Sequence, residues 1–270
     1  MNWKDLSSHQ QRLITGLVLA VPLLGLIGFG PLWSWAILVG LVSLVALWEF
    51  EALLPAGGSQ VWERALYYFM GFCMPVATFF ASTWGLHACL VLGLFLGMSG
   101  LLLSSPNDLP GLTRLARMVF AWLYIPHLLS YVLLIGGVEE ARTLVFFTLF
   151  VTMAGDAGAY YCGRSFGSRK LYERVSPKKT IEGSIGGFLC SMIVGAAYGV
   201  LLIHGMSLAK ILLLSAFLSL VGQFGDLFES MIKRMAGKKD SSQILPGHGG
   251  LLDRLDSLLF VFPVVWFFVS

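Results

Sequence analysis

Charge is scarce in this chain: 12% of its 270 residues are Asp, Glu, Lys or Arg, while 57% belong to the set AVILMFWYC. A soluble domain carries about 25% charged residues, so the scarcity excludes a hydrophobic core wrapped in a solvated shell. Mean hydropathy is +0.79, and this much apolar material belongs in a bilayer. Cysteine is sparse as well. The four present, Cys73, Cys89, Cys162 and Cys190, lie in apolar stretches without metal-ligand spacing, which argues against a disulfide framework and a zinc site. No internal repeat or low-complexity tract stands out. The formal net charge of +3 gives no basis for a nucleic-acid partner, and none is expected.

Long hydrophobic runs are what the chain has in quantity. They cover 13–30, 32–54, 65–82, 85–103, 117–136, 142–162, 184–204, 209–230 and 255–269. At about 20 residues per span, they predict an all-α polytopic integral membrane protein with about nine transmembrane helices. The first run does not read as a cleavable signal, because no small-residue cleavage motif follows it and Pro31 opens the next span almost at once. The segment from Met1 to Arg12, with Trp3 among polar residues, reads as a short interfacial helix.

Basic residues set the expected orientation. With nine spans, 16 of the 18 Lys and Arg residues fall on the side of the N-terminus, leaving Arg142 and Lys210 on the other. Positive residues mark the cytoplasmic face, so the N-terminus is expected inside and Ser270 outside. Two regions are expected: residues 1–137, five spans serving as scaffold or dimer contacts, and residues 138–270, four catalytic spans with two polar cytoplasmic loops.

Acidic residues discriminate best, because carboxylates are costly at membrane depth. Glu49 and Glu51, at the end of span two, read as interface residues without a special role. From Asp156 onward the pattern changes, and Asp156, Glu182, Asp226, Glu229, Asp240, Asp253 and Asp256 gather within or beside the cytoplasmic ends of spans six to nine. In span eight, Ser219, Gln223, Asp226, Glu229, Ser230 and Lys233 recur at spacings of three or four, on one helical face. Interhelical hydrogen bonding accounts for Ser219 and Gln223. Asp226, a turn or two inside the boundary, requires a cation, a proton or an ion-pair partner.

Two polar loops complete the picture. After span eight, Pro246-Gly247-His248-Gly249-Gly250 forms a permissive turn able to bring backbone amides to an anion. Asp253 and Asp256 follow on one face at the start of span nine, and with Asp226 they offer oxygen ligands for a hard cation. After span six, residues 163–182 hold six basic and two acidic residues. Lysines and hydroxyls leading into the N-terminus of span seven suit a phosphate; a plain positive-inside loop is the alternative.

The stretch Ser230-x-x-Lys233-Arg234-x4-Lys239-Asp240-x5-Pro246-Gly247-His248-Gly249-Gly250-x-x-Asp253-Arg254-x-Asp256 resembles the signature of phosphatidate cytidylyltransferases, or CDP-diacylglycerol synthases. A second block agrees: Asp156-Ala157-Gly158-Ala159-Tyr160 with Gly163-Arg164, then Ser176-Pro177-Lys178-Lys179-Thr180-x-Glu182-Gly183. Family members commonly have threonine where this chain has Ala157. The motif-level resemblance covers about 155–257, and the first five spans match in hydropathy alone.

The resemblance implies reaction of CTP with phosphatidic acid to give CDP-diacylglycerol and pyrophosphate. It further implies a Mg2+ requirement, a monovalent ion such as K+ nearby, a homodimer, and residence in a bacterial inner membrane with the active site facing the cytoplasm. Asp226 and Asp253 would hold the divalent cation, with Asp256 as a supporting or alternative ligand. Lys233 and Arg234 join Asp226 and Asp253 as the expected catalytic residues. Substrate contacts are expected from Asp156, Ser176, Lys178, Lys179, Thr180, Glu182, Lys239, Asp240, His248, Gly249, Gly250 and Arg254.

Elementary chemistry is consistent with such a reaction. One anion must approach another, so charge neutralisation and in-line positioning dominate. A phosphate monoester with a second pKa of about 6 is already ionised at neutral pH and needs no strong base, so His248 is expected to orient a phosphate rather than take a proton. Two rivals are weaker. A CDP-alcohol phosphotransferase would need an Asp-Gly pair, and the sequence has none. An ion-coupled transporter would place Asp156 and Asp226 near the midplane between repeats, but the acidic residues gather toward one face.

Overall fold

The computed structural model describes residues 8–54, 59–104, 109–245, 247 and 249–270. The segment expected to lie along the interface, Met1 to Arg12, falls largely outside these residues, as do Pro246 and His248. The helices are α1 (Ser8–Phe29), α2 (Leu32–Leu53), α3 (Val61–Ser104), α4 (Leu109–Trp122), α5 (Leu128–Ile135), α6 (Ala141–Phe166), α7 (Ile181–Leu202), α8 (Leu208–Met235) and α9 (Leu252–Val269). A π-helical turn, Leu123–His127, joins α4 to α5 around Pro126. Among the described residues, six helical segments are long and apolar enough to cross a membrane: α2, α3, the α4–α5 segment, α6, α7 and α8. The protein is thus an all-α polytopic membrane protein.

Helix α3 covers the ranges expected for spans three and four in one run of 44 residues. The run breaks at Ala81 and Ser82, where Ser82 takes φ 54° and ψ −140°. On either side of the break the two halves pack antiparallel. Cys89 Sγ lies 3.8 Å from Met70 Sδ, and the Trp62 ring lies against Gly100. Helix α9 differs from the other late spans because Asp253, Arg254 and Asp256 occupy its first turns.

The contacts divide the chain into two compact units: residues 1–134 with Asp240–Asp253, and residues 135–239 with Arg254–Ser270. The first unit is organised around large side chains with almost no exposure, among them Trp122, Phe50, Leu47, Met70, Met74 and Leu86. Several polar groups inside it are partnered, as burial at low dielectric favours. Tyr67 donates its hydroxyl to Leu47 O (3.1 Å) and Trp122 its indole N–H to Tyr67 O (2.9 Å). Glu63 forms an ion pair with Arg114 at 3.0 Å. Glu51 pairs with Arg64 at 3.0 Å and accepts from Tyr68.

In the second unit, close helix packing depends on glycine. A Cβ on Gly187 of α7 would sit 2.7 Å from Gly155 O of α6, and one on Gly183 would sit 2.7 Å from Ala159 O. Small residues let membrane helices approach to backbone contact in this way. Between α6 and α7 the chain forms an antiparallel hairpin of β1 (Lys170–Tyr172) and β2 (Ser176–Thr180), pairing Lys170 with Thr180 and Tyr172 with Ser176. The sequence reading treats this stretch as a loop. Strands this short, filled with lysine, proline and serine, carry no apolar alternation to betray them.

Candidate active site

Helix α7 starts where β2 ends. Thr180 is extended (φ −125°, ψ 155°), and its hydroxyl accepts from Gly183 N at 3.1 Å. This N-cap satisfies one of the helix's first amides. Glu182 accepts from Ser168 N (3.1 Å) and Arg169 N (3.2 Å), and Ile181 N donates to Arg169 O at 2.9 Å. The carboxylate expected to bind substrate therefore pins the start of the hairpin to α7. Arg234, expected to be catalytic, lies near the C-terminus of α8 and donates through Nε to Val175 O at 3.2 Å and through Nη1 to Lys238 O at 3.4 Å. It ties α8 to the turn of the hairpin.

Between these supports lies a cavity of about 370 Å3. Its walls come from α6 (Asp156, Tyr160, Arg164), β2 (Lys178, Lys179, Thr180), α7 (Ser184) and α8 (Gln223, Asp226). Five of the residues singled out from sequence thus meet in one place: Asp156, Lys178, Lys179, Thr180 and Asp226. Lys179 forms an ion pair with Asp226. The α8 stripe is partly absorbed by helix pairing, since Gln223 exchanges hydrogen bonds with Ser184 of α7 and donates to Ser219 Oγ at 3.2 Å. Ser230 donates weakly to Asp226 at 3.5 Å.

Carboxylates cluster at this cavity. Asp156 lies within electrostatic reach of Asp226, Lys179 and Arg254. Asp256, at the start of α9, lies within reach of Asp226, Asp156 and Lys233, and its Oδ1 accepts from Ser257 N at 2.7 Å. Among the described residues, no three His, Cys, Asp or Glu side chains converge closely enough to hold a metal ion. The donor set is nevertheless all oxygen and rich in negative charge, which suits a hard divalent cation in kind. Lys233 is 9% exposed and pairs with Glu229, which is wholly buried one turn earlier on α8.

Of the other expected residues, Ser176 opens β2 but does not line the cavity, Lys239 is exposed, and Arg254, exposed at the start of α9, lies within electrostatic reach of Asp156. In the first unit, Asp240 is exposed, while Asp253 Oδ2 accepts from Ser241 N (3.0 Å), Ser241 Oγ (3.1 Å) and Gly250 N (2.8 Å). Asp253 thus braces the glycine-rich loop. Gly249 takes φ +82°, and its carbonyl accepts from Leu245 N at 3.0 Å. His248 lies outside the described residues.

Sequence reasoning passed over Glu49. Its side chain is wholly buried, and it accepts from the same loop that Asp253 braces. A carboxylate inside the apolar run of α2 was the available signal.

A family model described as the cytidylyltransferase family matches residues 10–270. The chain belongs to the cytidylyltransferase family. Similar proteins include the phosphatidate cytidylyltransferase of Bacillus subtilis, 39% identical over 154 residues, 57% of each chain. That of Staphylococcus saprophyticus is 44% identical over 127 residues, 47% of this chain and 49% of its own. That of Staphylococcus aureus (strain COL) is 46% identical over 127 residues, with the same shares. The match therefore spans about half the length of these relatives. Within the chain, the cavity of the second unit is where basic, hydroxyl and carboxylate groups meet.

Proposed function

We propose that this protein transfers a cytidylyl group from CTP to phosphatidate, giving CDP-diacylglycerol and pyrophosphate. The observation that carries the reading is the cavity in which Lys178, Lys179 and the Thr180-capped start of α7 face Asp156 and Asp226. Its volume, about 370 Å3, falls within the range of ordinary ligand pockets, roughly 300–1,000 Å3. The names of the relatives point to the same reaction.

In the reaction an oxygen of the lipid phosphate forms a bond to the α-phosphorus of CTP, and the bond from that phosphorus to the bridging oxygen of the β-phosphate breaks. Pyrophosphate leaves with the electron pair. Both reactants are anions, so the residues' task is to neutralise and align them. Lys178 and Lys179 supply positive charge at the cavity wall. The N-terminus of α7 adds its dipole, and Arg164 adds a planar guanidinium suited to phosphate. Lys179, paired with Asp226 in this structure, would turn to the triphosphate when it arrives.

Asp226 and Asp256 would hold a Mg2+ ion, with Asp156 contributing to the negative field and K+ as a companion. When bound, the cation would neutralise charge on the triphosphate and on the leaving pyrophosphate. Asp253, the second ligand implied by the resemblance, would serve by holding the loop. The cavity would open to the cytoplasm, where CTP is found, and toward the inner leaflet of a bacterial inner membrane. A homodimer is part of the same reading.

The test is pyrophosphate release by the purified chain in detergent. Release is expected when CTP and phosphatidate are both supplied and absent when either is omitted. Release from CTP without phosphatidate, or none at all, would overturn the reading.

A further inference from the structure

A carboxylate far from the motifs holds the glycine-rich loop in shape. Glu49 lies near the C-terminus of α2 and is 0% exposed. A buried carboxylate is costly unless fully hydrogen-bonded, and this one is held by the loop between α8 and α9 and by Leu252, the first residue of α9. Oε1 accepts from Ser242 Oγ (2.5 Å) and Leu251 N (2.8 Å). Oε2 accepts from Ser241 Oγ (3.1 Å) and Leu252 N (2.6 Å). One side chain therefore grips both ends of the segment 241–252.

The grip reaches the first residue of α9, the helix that carries Asp256. Ser241 Oγ also lies 3.1 Å from Asp253 Oδ2, and Ser241 N donates to that oxygen at 3.0 Å. The hydroxyl has a single proton, so Glu49 and Asp253 share one donor. Leu251 and Leu252 supply the first amides of α9, where a negative charge is favoured by the helix dipole. Gly250 makes the approach feasible, because a Cβ there would lie 2.7 Å from Glu49 Oε1.

We infer that Glu49 is a positioning residue for cytidylyl transfer, fixing the 241–252 loop and the start of α9 through its four hydrogen bonds; this rests on the function proposed above. Glutamine cannot replace it. Each oxygen accepts from a backbone N–H, so in either amide orientation an NH2 group faces a second donor.

The experiment uses the full chain in detergent, comparing wild type with Glu49→Gln and the milder Ser242→Ala. Both steady-state kinetics with CTP and phosphatidate and amide hydrogen exchange are measured. Glu49→Gln should lower kcat by about 10-fold or more, since small misplacements of a site cost up to about 100-fold, and should change the KM for CTP much less. Exchange across 241–252 should speed up by about 10-fold, the equivalent of one lost hydrogen bond, while peptides from α6 and α7 keep wild-type rates. Ser242→Ala should move both readouts in the same direction by less, and it carries the test if Glu49→Gln does not fold. Wild-type kcat in a folded Glu49→Gln, or exchange accelerated throughout the chain, would overturn the inference. If wild type itself makes no product, the proposed reaction fails, while unchanged loop exchange in the variants would separately refute the anchoring.

Discussion

Lys179 of β2 forms an ion pair with Asp226 of α8, joining a hairpin outside the apolar spans to a carboxylate within one. Each side chain keeps under a third of its surface exposed. The ammonium thus offsets the charge of Asp226 while remaining within reach of the cavity. Lys179→Met should lower kcat/KM for CTP by about 10- to 100-fold, the range expected for a charged hydrogen bond of about 1.5–3 kcal/mol. Initial rates over a CTP series check this.

Asp226→Asn should abolish turnover, a loss of more than about 100-fold if the carboxylate manages charge at the reacting phosphates. The variant should still fold, since asparagine has nearly the same shape and can accept from Ser230, as Asp226 does. Membrane yield and a monodisperse elution profile would establish folding, and substrate-dependent pyrophosphate release would give the rate.

Glu229 and Lys233 form a buried pair one turn apart on α8. Removing one member strands the other, at a cost of about 3–5 kcal/mol for a buried ion pair. Glu229→Gln should therefore lower the thermal midpoint in detergent, and adding Lys233→Met should recover much of it. The double variant should stay inactive, because Lys233 also lies in the field of Asp256.

The α6–α7 crossing makes a purely steric prediction. Gly187→Ala places its Cβ 2.7 Å from Gly155 O, closer than real Cβ atoms come to backbone. Overpacking of this kind costs about 1–3 kcal/mol, so the variant should melt earlier. Its activity should fall too, because α6 and α7 carry opposite cavity walls.

Much of this was legible in the sequence because hydropathy and charge are local properties. The spans of α2 and α6 to α8 follow directly from apolar runs, and even the fused α3 breaks where runs three and four divide. The meeting of Asp156, Lys178, Lys179, Thr180 and Asp226 was foreshadowed by two motif blocks. The hairpin was hidden by its brevity and charge. The work of Glu49 was hidden for another reason: its partners lie 192 to 203 residues away, and no local pattern encodes a contact at that separation. Glu182, Arg234 and Asp253 show the complementary limit. The motifs marked Glu182 as a substrate contact, Arg234 as catalytic and Asp253 as a catalytic metal ligand, but whether each one holds substrate or backbone depends on the folded neighbourhood.

The most direct test of cytidylyl transfer follows two phosphorus labels through one reaction. With purified protein and phosphatidate, label from [α-32P]CTP should move into the organic-soluble lipid, while label from [γ-32P]CTP should remain aqueous as pyrophosphate in equal amount. Lipid labelled from the γ position, or no label in lipid from either, would contradict the account.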